Sequence, residues 1–584
     1  MKIKHLFGLA VIAAMTASCS SNEDLGTAGP GTGTNEAGVG YATFTINLPS
    51  TSGSTTSGAR GTRATAGEPS FDEGTADEYA VNDATLLVFQ KDGDDYKYIE
   101  TVDLGSMVPW TKQDPANSGI TTTATVTAKL TNAAVGESGN YYALILLNNN
   151  VDATNKKVTL PTATTDTYAN WSKDVSKANA ANYLKYDKGF FMANAPKYVA
   201  TGEPETLVKI DKIYASKQQA EISAATTVYV ERGLAKVTMK DFTPTGYDIA
   251  DGTYKEANVK INSWQLDVTN KSTFPVHQTA GLKTSWTGIW ANTRFYDGST
   301  TSAFKRVYWG TDPNYNTGLS TVSDCEAAFN MITKDKVKGE AGETHPQYCL
   351  ENTFDLNNMK QGQTTRVVFK AVFTPKGFTG TEKTFYKIGN NTALWKEADL
   401  KAQILAKAQE VLDETNPDNV TVTLDAPTNN LTEAGVHLVA AANVSHVTTA
   451  GATAGTTTTA LTPHQVDEIN AKLGLKEKTA KEERVGISTY YKGEAYYIAR
   501  IKHFNALTPW NAGEAYGTAN DKYLGRYGVL RNNWYELSVN KVTGLGYPDV
   551  PEVKPTDPDD ENEQYINVAV KILSWAKRSD TIDL

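Results

Sequence analysis

The chain has 584 residues, of which 10% are aromatic and 21% are charged, so it is long enough to bury more than one core. Its formal net charge is −10 and no basic stripe occurs, which excludes sequence-independent nucleic-acid binding, because such binding needs clustered Lys and Arg. Long stretches alternate Thr or Val with polar residues, and this pattern predicts a mainly β protein.

Residues 1–19 have the pattern of an export signal. Lys2 and Lys4 precede an apolar run, Leu6–Met15, that is too short for a bilayer-spanning helix of about 20 residues. Small residues then lead to Cys19, as in bacterial lipoprotein signals, where cleavage exposes the cysteine for acylation. Simple secretion remains the alternative, because Thr16 stands where such signals usually have Leu.

Residues 20–63 predict a flexible propeptide that contains one isolated strand. Tracts rich in Gly, Ser and Thr offer too little apolar surface to become ordered. Between them, apolar side chains alternate with polar ones and stop before Pro49, namely Ala42, Phe44, Ile46 and Leu48. Arg60 and Arg63 follow in the second tract, where a protease would reach both.

The central part predicts two β-sandwich domains, residues 64–241 and 242–547. Strands are expected at Ala84–Gln90, Thr121–Leu130, Tyr141–Leu147, Val228–Met239, Val259–Val268, Thr365–Phe373, Tyr496–Ile501 and Trp534–Val539. Two helices interrupt the second domain. One carries an apolar face from Leu400 to Leu412, and the other begins at a Thr462 cap and stops at Gly474.

Residues 548–584 predict a linker rich in Pro and Asp, followed by a terminal strand. Prolines at this density stiffen an extended segment, which would reach about 50 Å. The strand has apolar residues at every second position before Trp575, namely Ile566, Val568, Val570 and Ile572. The acidic residues of the linker lack the Gly and the final Glu of a calcium loop, so we expect a solvated linker and no metal site.

Other candidate sites are weak. Cys325 and Cys349 are compatible with one disulfide in an exported protein, or with two free buried thiols. Four aromatic residues could stack on sugars but more commonly pack in cores, namely Trp286, Trp290, Tyr308 and Trp309. The seven His are scattered, and no metal helix, phosphate loop or nucleophile elbow occurs. We therefore expect no catalytic residues, no metal and no cofactor.

The two isolated strands carry the functional hypothesis. A strand with one apolar face is poorly stable alone and must bury that face in a sheet. If proteolysis removed the first strand, an equivalent strand from a neighbouring molecule could fill the vacated place, and head-to-tail insertion would give a filament. The alternative is that the first strand is a permanent edge strand and that Ile566–Ile572 folds back onto its own domain.

Three segments resemble the fimbrillin family of type V pilins, and their order along the chain is part of the likeness: Gly189–Asn194, Val230–Val237 and Arg531–Leu537 followed by Gly544-Leu545-Gly546. The resemblance implies transthyretin-like sandwiches and lipid-anchored export. It also implies removal of the first strand by an Arg-specific protease and polymerisation by donor-strand exchange. Cleavage between Arg63 and Ala64 fits that pattern best, with a cut after Arg60 as a close competitor.

The resemblance implies a stalk-forming structural subunit that is anchored at the outer membrane as a precursor and later part of a surface fimbrium. Its partners would be copies of itself, accessory fimbrial subunits and the protease, with host proteins or glycans as adhesion targets. Two rival hypotheses are an accessory or tip adhesin and a non-polymerising, glycan-binding surface lipoprotein. A hydrolase is the third.

Overall fold

The computed structural model describes residues 38–49, 74–106, 111–112, 120–136, 139–285, 296, 304–378, 383–449, 456–479, 484–503, 524–559 and 566–574. Over these residues the fold is mainly β, in agreement with the sequence pattern. Within the same ranges, no helix is long and apolar enough to cross a membrane.

The N-terminal strands form one nine-stranded sheet. They are β1 (Gly40–Pro49), β2 (Ala84–Asp92), β3 (Asp95–Gly105), β4 (Thr111–Lys112), β5 (Ile120–Leu130), β6 (Tyr141–Leu147), β7 (Met192–Asn194), β8 (Val208–Lys209) and β9 (Thr226–Arg232). Their order is β3-β2-β6-β7-β9-β1-β5-β4, with β8 beside β6. Side chains from both halves of the sheet, such as Phe44, Leu87 and Ile145, meet in one buried core.

The C-terminal part contains a sandwich of two four-stranded sheets. The first has the order β15-β10-β27-β28 and consists of β10 (Ala235–Met239), β15 (Gly342–Cys349), β27 (Asn533–Val542) and β28 (Ile566–Ser574). The second has the order β11-β12-β16-β26 and consists of β11 (Tyr247–Asp248), β12 (Asn258–Asp267), β16 (Arg366–Thr374) and β26 (Glu494–Arg500). Val237 and Tyr535 from the first sheet share a core with Phe369 from the second. A short pair, β13 (Thr269–Asn270) and β14 (Phe329–Asn330), lies outside these sheets.

An insert between the paired strands β16 and β26 has a core of its own. Its strands are β17 (Phe385–Ile388), β18 (Leu394–Trp395), β19 (Val420–Val422), β20 (Asp425–Ala426), β21 (Asn429–Asn430), β22 (Gly435–His437), β23 (Val444–Thr449), β24 (Thr456–Thr459) and β25 (Ile487–Tyr490). Two helices, Glu397–Leu412 and Pro463–Lys472, bury Leu400 and Ile469 in this core. Both helices agree with the sequence prediction, and the hydroxyl oxygen of Thr462 accepts a hydrogen bond from the Gln465 amide at 3.3 Å.

The other helices among the described residues are short. They are α1 (Ala76–Tyr79), α2 (Tyr168–Lys173), α3 (Ala180–Tyr183), α4 (Lys217–Ile222), α5 (Leu282–Ser285) and α6 (Val322–Ala328), so that the two helices of the insert are α7 and α8. Single 3-10 turns occur at Val175–Lys177, Tyr186–Lys188, Lys334–Lys336, Leu356–Asn358, Gln361–Gln363, Pro417–Asn419, Ala441–Asn443 and Tyr491–Gly493.

The predicted strands are present, with ends that differ by at most three residues, with one exception. The single strand predicted at Val228–Met239 is wrong, because the chain turns at Gly233 and Leu234 into two strands of different sheets. β10, which the prediction assigned to the N-terminal domain, therefore belongs to the C-terminal sandwich.

Candidate functional site

The first strand is an interior strand. β1 pairs antiparallel with β5 from Gly40 to Pro49, and Phe44–Asn47 pair in parallel with β9 on the other side. Ala42 is 1% exposed, and Phe44, Ile46 and Leu48 are fully buried. The space that these four side chains fill between β5 and β9 is called the β1 groove below. A permanent edge strand would have one neighbour, so that alternative does not describe β1.

The opposite face of β1 is polar and follows β5 closely. The Thr43 and Thr127 hydroxyls are 2.8 Å apart, and those of Thr45 and Thr125 are 3.3 Å apart. The Thr123 hydroxyl donates a hydrogen bond to Asn47 Oδ1 at 2.7 Å. Cross-strand pairs of this kind contribute about 0.2–1 kcal/mol each, whereas burial contributes about 1.5–3 kcal/mol for each large apolar side chain. The apolar face therefore holds β1 in place.

A buried carboxylate fixes the chain just downstream of the predicted cleavage region. Glu78 of α1 lies 2.7 Å from the Lys236 ammonium, and the Tyr348 hydroxyl donates to Glu78 Oε1 at 2.6 Å. Arg232 Nε donates to the Glu78 backbone oxygen at 2.7 Å. Burial alone would raise the pKa of Glu78, but the charge of Lys236 holds it below its usual value. The chain before α1 could therefore be removed by proteolysis while these contacts keep α1 in place.

The terminal strand occupies a different position from β1. β28 runs antiparallel to β27 of the same chain, from Ile566 opposite Val542 to Ser574 opposite Asn533. Among the described strands it has β27 as its one partner, so it is an edge strand of its sheet. The structure therefore does not bring the two isolated strands together, and β28 is folded back onto its own domain. Cys19, Arg60, Arg63, Ala64 and Trp575 lie outside the described residues.

The linker prediction is wrong for residues 548–559, which are docked on the C-terminal sandwich. Arg366 Nη2 donates to the Pro551 oxygen at 2.6 Å, and the Gln361 amide donates to the Asp557 oxygen at 3.0 Å. Val553 is 5% exposed and packs in a small apolar cluster. The partners come from residues far away in sequence, which a local Pro and Asp pattern cannot indicate.

Cys325 and Cys349 are free thiols, so the disulfide alternative is wrong for this structure. Cys349 lies at the end of β15 in the core of the sandwich, whereas Cys325 lies in α6 close to Gly362. Burial raises the pKa of Cys325 to about 11 and that of Cys349 to about 12. Both thiols therefore stay protonated at neutral pH.

The segments that carry the family resemblance meet where the N-terminal sheet joins the sandwich. The Gly233 amide donates to the Phe191 oxygen at 2.8 Å, and the Asn532 amide donates to the Leu234 oxygen at 2.8 Å. β10 then pairs in parallel with β27, and the Lys236 ammonium lies 3.6 Å from the centre of the Trp534 ring. These motifs therefore form a structural junction.

Buried charges add to this junction. Glu231 of β9 pairs with Arg306, and His277 Nδ1 lies 2.6 Å from Glu231 Oε1. Arg531 Nε donates to Glu351 Oε2 at 3.1 Å on the sandwich side. Such networks are costly to break, because each removal leaves a buried charge. Of these residues, Glu231 and Arg531 lie inside the recognised motifs, whereas His277, Arg306 and Glu351 carry no signal in the sequence.

The candidate sugar-stacking and metal-binding positions can be checked within the described part of the chain. Within the described ranges, no three His, Cys, Asp or Glu side chains lie close enough together to hold a metal ion. Tyr308 and Trp309 are buried in a small core, so they cannot stack on a glycan, and Trp286 and Trp290 lie outside the described residues. An open cleft of about 540 Å³ is polar, with Lys156, Asn182 and Lys271 in its lining.

Residues 488–581 match the family model described as "Major fimbrial subunit protein type IV, Fimbrillin, C-terminal". This segment contains β26, β27, the docked residues 548–559 and β28. No curated protein matches the chain.

Several solved structures are distantly similar. A candidate cell adhesion protein from Parabacteroides distasonis has 11% identity and a TM-score of 0.34, over 92% of this chain and 98% of that one. A fimbrilin from Porphyromonas gingivalis has 12% identity and a TM-score of 0.31, over 91% and 96%. The tip fimbrial protein of the same organism, truncated at its C terminus, has 10% identity and a TM-score of 0.25, over 92% and 100%. The match of residues 488–581 to this family model confirms the resemblance to the fimbrillin family.

Proposed function

We propose that the chain is a structural stalk subunit of a cell-surface fimbrium, resembling the major subunit of a minor fimbrium. In this proposal it is exported as a lipoprotein precursor acylated at Cys19, is cleaved after Arg63 or Arg60, and polymerises by donor-strand exchange. The position of β1 is the observation that carries the proposal. The strand that precedes both arginines is one whose loss would open the interior of a sheet.

The β1 groove and the terminal strand have matching spacing. The groove takes apolar side chains at every second position over four positions, and Ile566, Val568, Val570 and Ile572 repeat that pattern. A donor strand running antiparallel to β5 would place them at the positions of Ala42, Phe44, Ile46 and Leu48. Lys571 would then lie on the polar face of the strand, at the position of Asn47, which is 4% exposed. A one-residue slip would turn the apolar set out of the groove, so the register is strongly selected.

Covalent attachment explains why cleavage would be needed. While β1 belongs to the same chain, its effective concentration at the groove is in the millimolar range, far above that of a neighbouring molecule. Cleavage removes this advantage. β28, with one neighbouring strand, can be peeled from β27 without opening the interior of a sheet. The precursor would therefore stay monomeric, and the processed chain would accept and donate strands.

The proposal is tested by treating purified precursor with an Arg-specific protease. We expect a new N terminus at Ala64 and oligomers that survive detergent but dissociate on heating. Arg63→Lys and Arg60→Lys, singly and together, are matched controls that keep the charge but remove the cleavage sites. A processed chain lacking residues 565–584 should remain monomeric. If that truncated chain forms normal fibres, the donor assignment is wrong.

An accessory or tip subunit is the second candidate, and the pairing of β28 with β27 in the same chain favours it. Such a subunit would accept a strand without donating one. Mixing processed full-length chain with the truncated chain separates the two roles. A stalk subunit gives long fibres capped by the truncated copy, whereas a tip subunit gives no homopolymer. Glycan capture by the intact monomer, without oligomers after proteolysis, would favour the non-polymerising lipoprotein.

A further inference from the structure

In the C-terminal arm, residues 548–584, the stretch 548–559 is attached to the sandwich by its own contacts, apart from the pairing of β28 with β27. The Asp559 amide donates a hydrogen bond to the Met359 oxygen at 3.1 Å, and a β-bridge joins Pro558 to Lys360. These contacts follow those of Pro551, Val553 and Asp557 along the same surface. The described part of this docked stretch reaches Asp559, seven residues before β28 begins at Ile566.

Asp559 is fully buried, and both of its carboxylate oxygens are bound. Arg526 Nη2 donates to Oδ1 at 2.9 Å, and the Thr364 hydroxyl donates to Oδ2 at 3.3 Å. Arg500 Nη1 donates to the Thr364 backbone oxygen at 3.1 Å, so a second arginine binds the residue that contacts Asp559. A charge that is removed from water in this way needs its partners, since an unpaired buried charge is strongly destabilising.

We propose that Asp559 is a positioning residue that anchors the C-terminal arm, so that only residues after it leave the subunit when the terminal strand is exchanged. The role of this anchor in strand exchange rests on the proposed donor-strand function. The anchor itself is a property of the single subunit and can be measured there. A solvated linker, in contrast, would let the whole arm from residue 548 move.

The anchor limits the distance between neighbouring subunits. Seven Cα–Cα steps separate Asp559 from Ile566, and an extended chain spans at most about 3.6 Å for each step, or about 25 Å in total. If the arm were free from Tyr547, nineteen steps would reach about 68 Å. In the fibre, the end of the β1 groove of one copy must therefore lie within about 25 Å of Asp559 of the donor. This short reach would restrict the angle between subunits.

Hydrogen–deuterium exchange on the uncleaved monomer tests the anchor without polymerisation. In the wild-type chain we expect amides in residues 548–559 to be protected, and in Asp559→Asn we expect them to exchange about tenfold faster or more. Asp557→Asn is the matched control, because it removes the same charge two residues away, where the side chain lies 3.9 Å from Lys554 at the surface. This control should leave the protection unchanged. Wild-type amides that exchange as fast as an unstructured peptide would overturn the anchor.

A double substitution keeps the test valid if Asp559→Asn fails to fold. Asp559→Asn with Arg526→Gln removes both charges, so it leaves no unpaired partner across the 2.9 Å contact. Recovery of folding with loss of protection in residues 548–559 supports the anchor, and recovery of folding with protection retained contradicts it. In fibres, residues 548–559 should still be docked on the sandwich of their own copy, and an undocked stretch would contradict the anchor. A protected arm in a chain that never polymerises would refute the proposed function but not the anchor.

Discussion

Phe44 lies in the middle of β1 and is fully buried, so Phe44→Ala should destabilise the precursor strongly. Removal of a buried Phe side chain typically costs about 3–5 kcal/mol, because apolar contacts are lost and a cavity remains. Thr45→Ala, on the polar face of the same strand, loses one 3.3 Å hydroxyl contact and should cost about 1 kcal/mol or less. The difference in unfolding free energy between the two variants measures how strongly the apolar face stabilises β1 in the sheet.

The informative comparison is before and after processing. In denaturant unfolding, the Phe44→Ala precursor should show the full loss of stability. Processed fibres of the same variant should be as stable as wild-type fibres, because β1 is no longer present. Leu144→Ala in β6, which remains after cleavage, should weaken both forms by about 2–5 kcal/mol. If Phe44→Ala weakens the processed fibre as much as it weakens the precursor, β1 has not been removed and the reasoning fails.

Three further outcomes follow from buried titratable groups. Glu78→Gln should destabilise the chain by about 3 kcal/mol in thermal or denaturant unfolding, because it leaves the buried Lys236 ammonium without its counter-charge. The pKa of Glu78 is lowered in the folded state, so this contribution should be present above the unfolded pKa and vanish as the pH falls through the folded value. Burial raises the pKa of Asp312 from 3.8 to about 7, so the folded state holds a proton that the unfolded state has lost, and stability should fall as the pH rises between those values. Asp312→Asn should flatten that slope. Cys325 and Cys349 should resist thiol reagents at about pH 8 until the protein unfolds, and rapid labelling of the native chain would contradict their burial.

Local patterns predicted the regular elements well. The alternation from Ala42 to Leu48 indicates a strand with one buried face, and β1 has that face fully buried. The second helix of the insert begins as its Thr-Pro start indicates. These signals are local, since they depend on side-chain periodicity and on hydrogen bonds within a few residues. The position of β1 between β5 and β9 is not local and could not be read from its sequence.

The errors have the same origin. Residues 228–239 are apolar at most positions, so periodicity could not show that the chain passes between sheets at Gly233. The sequence predicts that the segment rich in Pro and Asp is solvated, but Asp559 is buried against Arg526 and Thr364. Both partners are far from Asp559 in the sequence, so a local pattern cannot indicate the contact. Glu78 was not identified for the same reason, because Tyr348 is 270 residues away. Buried ion pairs between distant residues are what sequence reasoning missed.

The central claim is that cleavage vacates the β1 groove and that the terminal strand of another copy fills it. The most direct measurement is a cryo-electron microscopy structure of fibres formed from the processed chain. We predict a strand containing Ile566–Ile572 of the neighbouring copy between β5 and β9, antiparallel to β5, with β27 released from its own β28. Fibres in which β1 still occupies the groove, or in which each β28 stays on its own β27, would contradict the account.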